Sequence, residues 1–377
     1  MNISITNNYI SFYKNNQSQI VIIMNKYLSM KKQLLIYVFS IFFFSLSGQE
    51  VAFRVKKIWD NEIHSAFTSL IKYQGAYYCS FREAESHIFD SKGKAEGKVR
   101  IIKSFDGEQW HSVALFGKNN FDLRDPKLSI TPEGKLMVSI GGSRYESWDL
   151  VERIPHVSFT DGGDCFTQPV PVAIADSAGN GKDWIWKITW YNGVGYGVMY
   201  SMTAVRDASI SLVTTRDGLH YELLTNLNID DFPNESTIRF SKDGKMHIMV
   251  RRDGVNKNGY WGVSSPPYKE WEWKELELQL GGPDFIFFDD GSLIAGSRSY
   301  YIPSSLKTVL LAGNRQGEMH EIMVLPSSGD TGYPSFLVEN DELWVSYYAS
   351  SSPKRAAIYL ARIPLNTIRK IKQAVLP

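Results

Sequence analysis

Beyond the first 50 residues, apolar runs alternate with polar turns, and the runs come in pairs. Six segments share one plan: an apolar strand, a tight polar or glycine turn, then a second apolar strand. They are FTSLIKYQGAYYCSF from Phe67, KLSITPEGKLMVSIG from Lys127, KITWYNGVGYGVMYS from Lys187, STIRFSKDGKMHIMV from Ser236, DFIFFDDGSLIAGSR from Asp284 and PSFLVENDELWVSYY from Pro334. The turn residues Gly75, Gly134, Gly193, Gly244 and Gly291 lie 59, 59, 51 and 47 residues apart, and Asn340-Asp341 takes the sixth turn. Gly, Asn and Asp tolerate the positive φ that a tight hairpin demands. Strand pairs recurring at this period predict a radial array of small sheets, and no helical or dinucleotide-binding pattern competes with them.

A second repeat is interleaved with the first. SFDGEQW (104–110), SFTDGGDCF (158–166) and TTRDGLHY (214–221) each run from Ser or Thr through Asp-Gly to an aromatic, and Asp106, Asp161 and Asp217 are 55 and 56 residues apart. VSSPPYKEWEW (263–273) and AGNRQGEMH (312–320) take the next two places in degenerate form. The 329 residues from Gln49 onward, divided by a period near 55, give six units. The expected fold class is therefore all-β, a six-bladed β-propeller over residues 49–377, whose four-stranded blades bury both faces and leave only short edges.

The N-terminus reads as an address. Residues 30–48, MKKQLLIYVFSIFFFSLSG, combine a Lys-Lys start, an apolar run from Leu34 to Leu46 and small residues before QEVAF. This is the pattern of a signal peptide cut near Gly48, and the run is short for a bilayer span. The expectation is a secreted or periplasmic protein with no membrane attachment after cleavage. Residues 1–29 have no role ahead of such a leader and are read as a non-native extension, with translation starting at Met24 or Met30.

Composition narrows the function classes. Lys+Arg number 41 against Asp+Glu 40, so no global field draws the chain to nucleic acid. Aromatic residues make up 13%, which suits strands and also suits stacking on sugar faces. The two cysteines, Cys79 and Cys165, are read as unbridged, Cys79 as a small buried hydrophobe. His87 stands near acids in FREAESHIFD, but the spacing matches no metal site, so no metal or organic cofactor is expected. Nothing indicates an oligomer, so a monomer is expected.

In a propeller, the mouths of the innermost strands converge on one face of a central funnel. The mouths carry His64, Arg124 and Asp125, Trp186 and Lys187, Asn234 and Glu235, Asp284, and Asp330 and Tyr333. The ends of the second strands add Arg82 and Glu83, Arg144, Arg251 and Arg252, Arg298, and Tyr347 and Tyr348. Several arginines converging from different blades point to an anionic ligand, because the guanidinium fork matches a carboxylate, sulfate or phosphate.

These motifs resemble the sialidase family. The Asp-Gly turns resemble its Asp-boxes, and NESTIRFSKDGKMHIMVRR resembles its segment with a Glu at a strand mouth and an Arg at the end of the next strand. The resemblance implies a glycoside hydrolase with Tyr333 as nucleophile and Glu235 as its base. It places Arg251 or Arg252, with Arg298, as the anion clamp on a terminal acidic sugar of a glycan. A neutral phenol suits a substrate whose anomeric carbon bears a carboxylate, because a carboxylate nucleophile would be repelled. The match departs at two points. Ser65-Ala66-Phe67-Thr68 stand where the family has its first arginine, leaving Arg82 or Arg124 to replace it. The acid is open among Glu83, His87 and Asp90 in REAESHIFDSKGKAEGKVRI, with His64 and His87 both fit to move protons. The block of candidates is thus Tyr333, Glu235, His87 and Asp90 for catalysis, and Arg82, Arg124, Arg251, Arg252, Arg298 and His64 for binding. The alternatives are a polysaccharide lyase acting on a uronate, with Tyr333 and an imidazole exchanging protons, and a propeller that only binds glycan.

Overall fold

The structure is a computed structural model that describes residues 53–90, 93–146, 148–205, 207–300, 306–352 and 355–375. The leader at 30–48 and the extension at 1–29 lie outside the described residues. Among the described residues, 26 strands and one helix are found, so the chain is all-β. The strands form small sheets in a propeller arrangement: one sheet of eight strands, two of five and two of four.

Each predicted hairpin is present. His64–Tyr73 pairs with Ala76–Ala84, Asp122–Ile130 with Leu136–Glu146, and Asp183–Tyr191 with Val194–Ala204. Pro233–Phe240 pairs with Met246–Arg252, Asp284–Phe287 with Leu293–Ser299, and Thr331–Glu339 with Glu342–Ser352. The turn glycines adopt φ between 78° and 83°, and Asn340 and Asp341 adopt 48° and 59°. A Cβ at Gly134 would meet no atom within 4 Å, so it is the backbone sign and not crowding that requires glycine there. The Asp-Gly turns are also closed by side chains. Asp106 Oδ1 accepts the backbone N–H groups of Glu108 and Gln109, Asp217 Oδ1 accepts those of Leu219 and His220, and in the third turn Thr160 Oγ1 accepts the N–H of Gly163.

Burial falls from the inside outwards. His64–Tyr73 and Ala76–Ala84 are buried along nearly their whole length, whereas His111–Phe116 and Glu272–Gln279 are largely exposed. This is why the inner strands read as continuous apolar runs and the outer ones do not. The eight-stranded sheet consists of two antiparallel runs joined by one parallel residue pair, His64 to Ala356. One run ends with Arg54–Trp59, which pairs antiparallel with Arg355–Pro364 and so ties the start of the described chain to its last strand. The helix Leu365–Val375 buries Leu365 and Ile368, three residues apart on one face, against Ile294, Leu310 and Ile363. Cys79 is buried, Cys165 is exposed, and both are free.

Five of the six inner strands share an irregularity that builds the site. Their registers shift between Ala66 and Ser69, Arg124 and Lys127, Ile185 and Ile188, Pro233 and Ser236, and Gly332 and Ser335. A bulge inserts an unpaired residue and re-aims its side chain. Phe67, Asp125 and Tyr333 sit in these bulges with φ of 68°, 48° and 55°. Non-glycine residues seldom hold this conformation, and such strain concentrates at functional sites.

Candidate active site

Tyr333 stands at the centre. Its ring lies 4.7 Å from Phe67, 5.7 Å from Trp186 and 6.0 Å from Tyr348, centroid to centroid. Its hydroxyl donates to Glu235 Oε1 at 2.5 Å. Glu235 Oε2 accepts from Arg251 Nη1 and from the Gly282 backbone N–H, both at 2.7 Å, and Arg251 Nη1 lies 3.2 Å from the Tyr333 hydroxyl. Burial works against the Glu235 carboxylate, but Arg251, the phenol and the Gly282 amide outweigh it and hold its pKa below the ordinary value. Burial, then the Glu235 charge, pushes the Tyr333 phenol well above its ordinary value. The resting pair is therefore a neutral phenol aimed at an ionised carboxylate able to take its proton.

The local sequence explains the placement. Gly332 adopts φ 136° just before the bulge. Gly282, with φ 58°, lies so close that a Cβ there would come within 2.4 Å of the Tyr333 ring. Glycine is needed at Gly282 both for the backbone sign and for the close approach that brings its N–H to Glu235.

A second cluster forms around Asp330. Its Oδ2 meets His87 Nδ1 at 2.5 Å and His64 Nε2 at 3.1 Å, and its Oδ1 accepts from Arg298 Nη2 at 2.9 Å and Tyr348 Oη at 2.8 Å. Although burial favours the neutral acid, His64, His87 and Arg298 hold Asp330 ionised far below the ordinary carboxylate range. His87 is pushed down to about 4, chiefly by burial, with Arg124 and Arg298 adding to the effect against the pull of Asp330. His64, His87 and Asp330 are the group within reach of a shared metal ion among the described residues, their ligand atoms lying within 4.8 Å of one another. Arg298 on the same carboxylate makes the place a poor fit for a cation.

The arginines divide into two sets. Arg251, Arg298 and Arg124 surround Tyr333 from three different sheets, and the charge of each is felt by its phenol or raised by it. The Arg298 guanidinium lies 5.4 Å from the Tyr333 ring centre. Arg124 lies 4.7 Å from the ring centre of Phe67, so a cation from the neighbouring sheet stands over this bulge residue. Arg82 and Arg252, by contrast, are 0% and 1% exposed. Arg82 binds Asp122 Oδ1 and the Ser86 carbonyl, while Arg252 binds Glu275 and the Asn258 carbonyl and packs 4.2 Å from the ring centre of Tyr260. Both are spent on internal partners, which corrects their expected role in binding. Arg251 and Arg252 differ because adjacent strand residues face opposite sides of a sheet.

Other expected groups also lie apart. Asp90 Oδ1 accepts the Lys94 backbone N–H in a turn. Glu83 is held by Arg100, Trp59 and Asn61. Arg144 pairs with Glu146 and Glu152 on a hairpin. A gap of about 10 Å³ between Lys127, Trp186, Asp284 and Pro334 is too small for a ligand. A groove of about 590 Å³ lies between Glu272–Gln279 and Met319–Leu325, and Arg298 alone of the groups around Tyr333 borders it.

No protein-family model matches the chain, and no curated protein matches it. Solved structures do. A protein of unknown function from Dyadobacter fermentans aligns with a TM-score of 0.69 at 18% identity, covering 82% of this chain and 99% of that one. Trypanosoma rangeli sialidase in complex with the inhibitor DANA aligns at 0.64 and 13% identity over 83% of this chain and 57% of its own. The GH93 alpha-L-arabinofuranosidase of Fusarium graminearum with arabinobiose aligns at 0.58 and 15% identity over 82% and 97%. At these identities the likeness establishes a sialidase-like β-propeller fold.

Proposed function

We propose that this protein is a glycoside hydrolase that releases a terminal acidic sugar from glycans through a Tyr333 nucleophile. The observation that carries this reading is the buried Tyr333–Glu235–Arg251 chain, a phenol 2.5 Å from an ionised carboxylate that an arginine holds charged. Tyr333 would attack the anomeric carbon as its proton passes to Glu235. Arg124, Arg251 and Arg298 would hold the sugar's carboxylate beside the reacting centre. The sialidase and arabinofuranosidase among the structural neighbours support glycosidase chemistry on this fold.

The proposed architecture is six blades: the eight-stranded sheet counts as two blades that touch at His64 and Ala356, and Arg54–Trp59 closes the last blade. The leader at 30–48 supports export of the protein.

A uronate lyase draws support from the His64–Asp330–His87 cluster beside Tyr348, which offers an acid and base pair. Product masses after incubation with sialylated and uronate-bearing oligosaccharides separate the two. Hydrolysis gives fragments whose summed mass exceeds the substrate by one water, and a lyase gives an unsaturated product with no added water. No product from any such glycan contradicts both.

A further inference from the structure

The three residues first considered as the acid have other settings. Glu83 is held by Arg100, Trp59 and Asn61, Asp90 accepts a backbone N–H in a turn, and His87, with its pKa pushed down to about 4, carries little proton at neutral pH. A leaving alkoxide nevertheless needs a proton donor.

Asp125 has the placement for it. It occupies the bulge of Asp122–Ile130 that corresponds to the bulge of Thr331–Glu339 holding Tyr333, and its φ of 48° matches the 55° of Tyr333. It is only 5% exposed, yet its Oδ1 has no hydrogen-bond partner. Buried carboxylate oxygens are nearly always satisfied, so an orphan one at a strand mouth is open to a partner from outside the chain, a ligand group or a water. Its other oxygen, Oδ2, lies 3.5 Å from Arg124 Nε.

We infer that Asp125 is the general acid and base of this enzyme, giving its proton to the oxygen of the departing group and taking one from the incoming water. The inference rests on the reading of Tyr333 as nucleophile. In the first step the Tyr333 oxygen bonds to the anomeric carbon, its proton goes to Glu235, the glycosidic bond breaks, and the leaving oxygen takes the Asp125 proton. In the second, water bonds to the anomeric carbon and gives a proton to Asp125, while the released phenolate recovers its own from Glu235. Each proton and bonding pair is accounted for, and both carboxyl groups return to their starting states.

The charge environment agrees with the geometry. Arg124, Lys127 and Asp122 face Asp125 from its own strand, Arg82 from Ala76–Ala84, Tyr200 from Val194–Ala204, Glu235 from Pro233–Phe240 and Tyr333 from Thr331–Glu339. Burial, with the Glu235 and Asp122 charges, lifts its pKa to about 6 against the attraction of Arg124 and Lys127. The carboxyl is thus protonated in a useful fraction of molecules near neutrality.

The test uses 4-nitrophenyl and methyl α-glycosides of N-acetylneuraminic and glucuronic acids with the purified protein, Asp125→Asn, His87→Gln and Tyr333→Phe. A nitrophenolate leaves without help and a methoxide does not. Asp125→Asn is expected to lower kcat/KM about 10²–10⁴-fold on the methyl glycoside but much less on the nitrophenyl one. It also removes the fall of activity above pH 6, and His87→Gln keeps both the discrimination and that limb. Equal losses on both leaving groups, or a limb that disappears in His87→Gln, overturn the inference. Tyr333→Phe at full activity overturns the nucleophile instead. Should Asp125→Asn not fold, His87→Gln still decides whether the limb belongs to the histidine.

Discussion

The Tyr333 hydroxyl and the Glu235 carboxylate meet at 2.5 Å although 98 residues separate them in the chain. Two bulged strands from different sheets deliver them to one spot, and Arg251 bridges both. A phenol so buried stays neutral until a carboxylate takes its proton, so the pair acts as a unit.

Replacing Glu235 by Gln removes the proton acceptor while keeping the shape. The turnover number is expected to fall about 10²–10⁴-fold. Stability falls as well, because Arg251 loses its ion-pair partner Glu235 and keeps Asp253 and the Tyr333 hydroxyl. Breaking such a pair costs about 3–5 kcal/mol, measured by denaturant unfolding.

Gly282→Ala tests the close approach beneath Tyr333. A Cβ within 2.4 Å of the ring forces the phenol or the Gly282 segment to move, and the 2.7 Å bond to Glu235 goes with it. Activity is expected to fall about 10²-fold or more, as for other small displacements of reacting groups. Far-ultraviolet circular dichroism of the variant remains that of a β-protein.

Arg298→Lys and Arg252→Met separate the two sets of arginines. Lysine cannot reproduce the Arg298 fork that spans Asp330 and the Thr331 carbonyl, so KM for an acidic substrate is expected to rise about tenfold or more. Arg252→Met leaves KM unchanged and acts on thermal stability alone, because Arg252 faces Glu275 and Tyr260 on the other side of its strand.

Stability carries the signature of Asp125. Its folded pKa of about 6 lies above the unfolded value of 3.8, so the folded state binds more protons between these values and the side chain's favourable contribution is lost as pH rises through 6. Asp125→Asn cannot ionise. The stability of the wild type relative to this variant is expected to fall by about 2–3 kcal/mol between pH 4 and 8, followed by urea unfolding. His87 works the other way: its folded pKa of about 4 lies below the unfolded 6.5, so its contribution is full above 6.5 and lost as pH falls through 4. Comparing Asp125→Asn with the wild type at each pH cancels the histidine.

The features legible in the sequence are those that demand particular residue types. Positive φ selects glycine, so Gly75, Gly134, Gly193, Gly244 and Gly291 betrayed the hairpins. Tyr333 and Glu235 were legible as strand-mouth residues for the same reason, since flanking turns and apolar runs locate the mouths. The bulges were not, because one extra residue in a strand changes no composition. Yet the bulges set which side each following residue faces, and hence why Arg251 and not Arg252 meets Glu235. Asp330 was visible only as another strand mouth. Its partners His64 and His87 lie 266 and 243 residues away, and the pairing of His64 with Ala356 joins their strands into one sheet. Asp125 was visible only as a strand mouth beside Arg124, because its raised pKa depends on neighbours from five strands.

The most direct test of the central claim is rapid acid quenching of the protein during turnover of an acidic-sugar glycoside, followed by peptide mass spectrometry. The account predicts the mass of the sugar residue on the peptide that contains Tyr333, and its absence in Tyr333→Phe. A glycosyl adduct on any other side chain, or wild-type turnover by Tyr333→Phe, would contradict it.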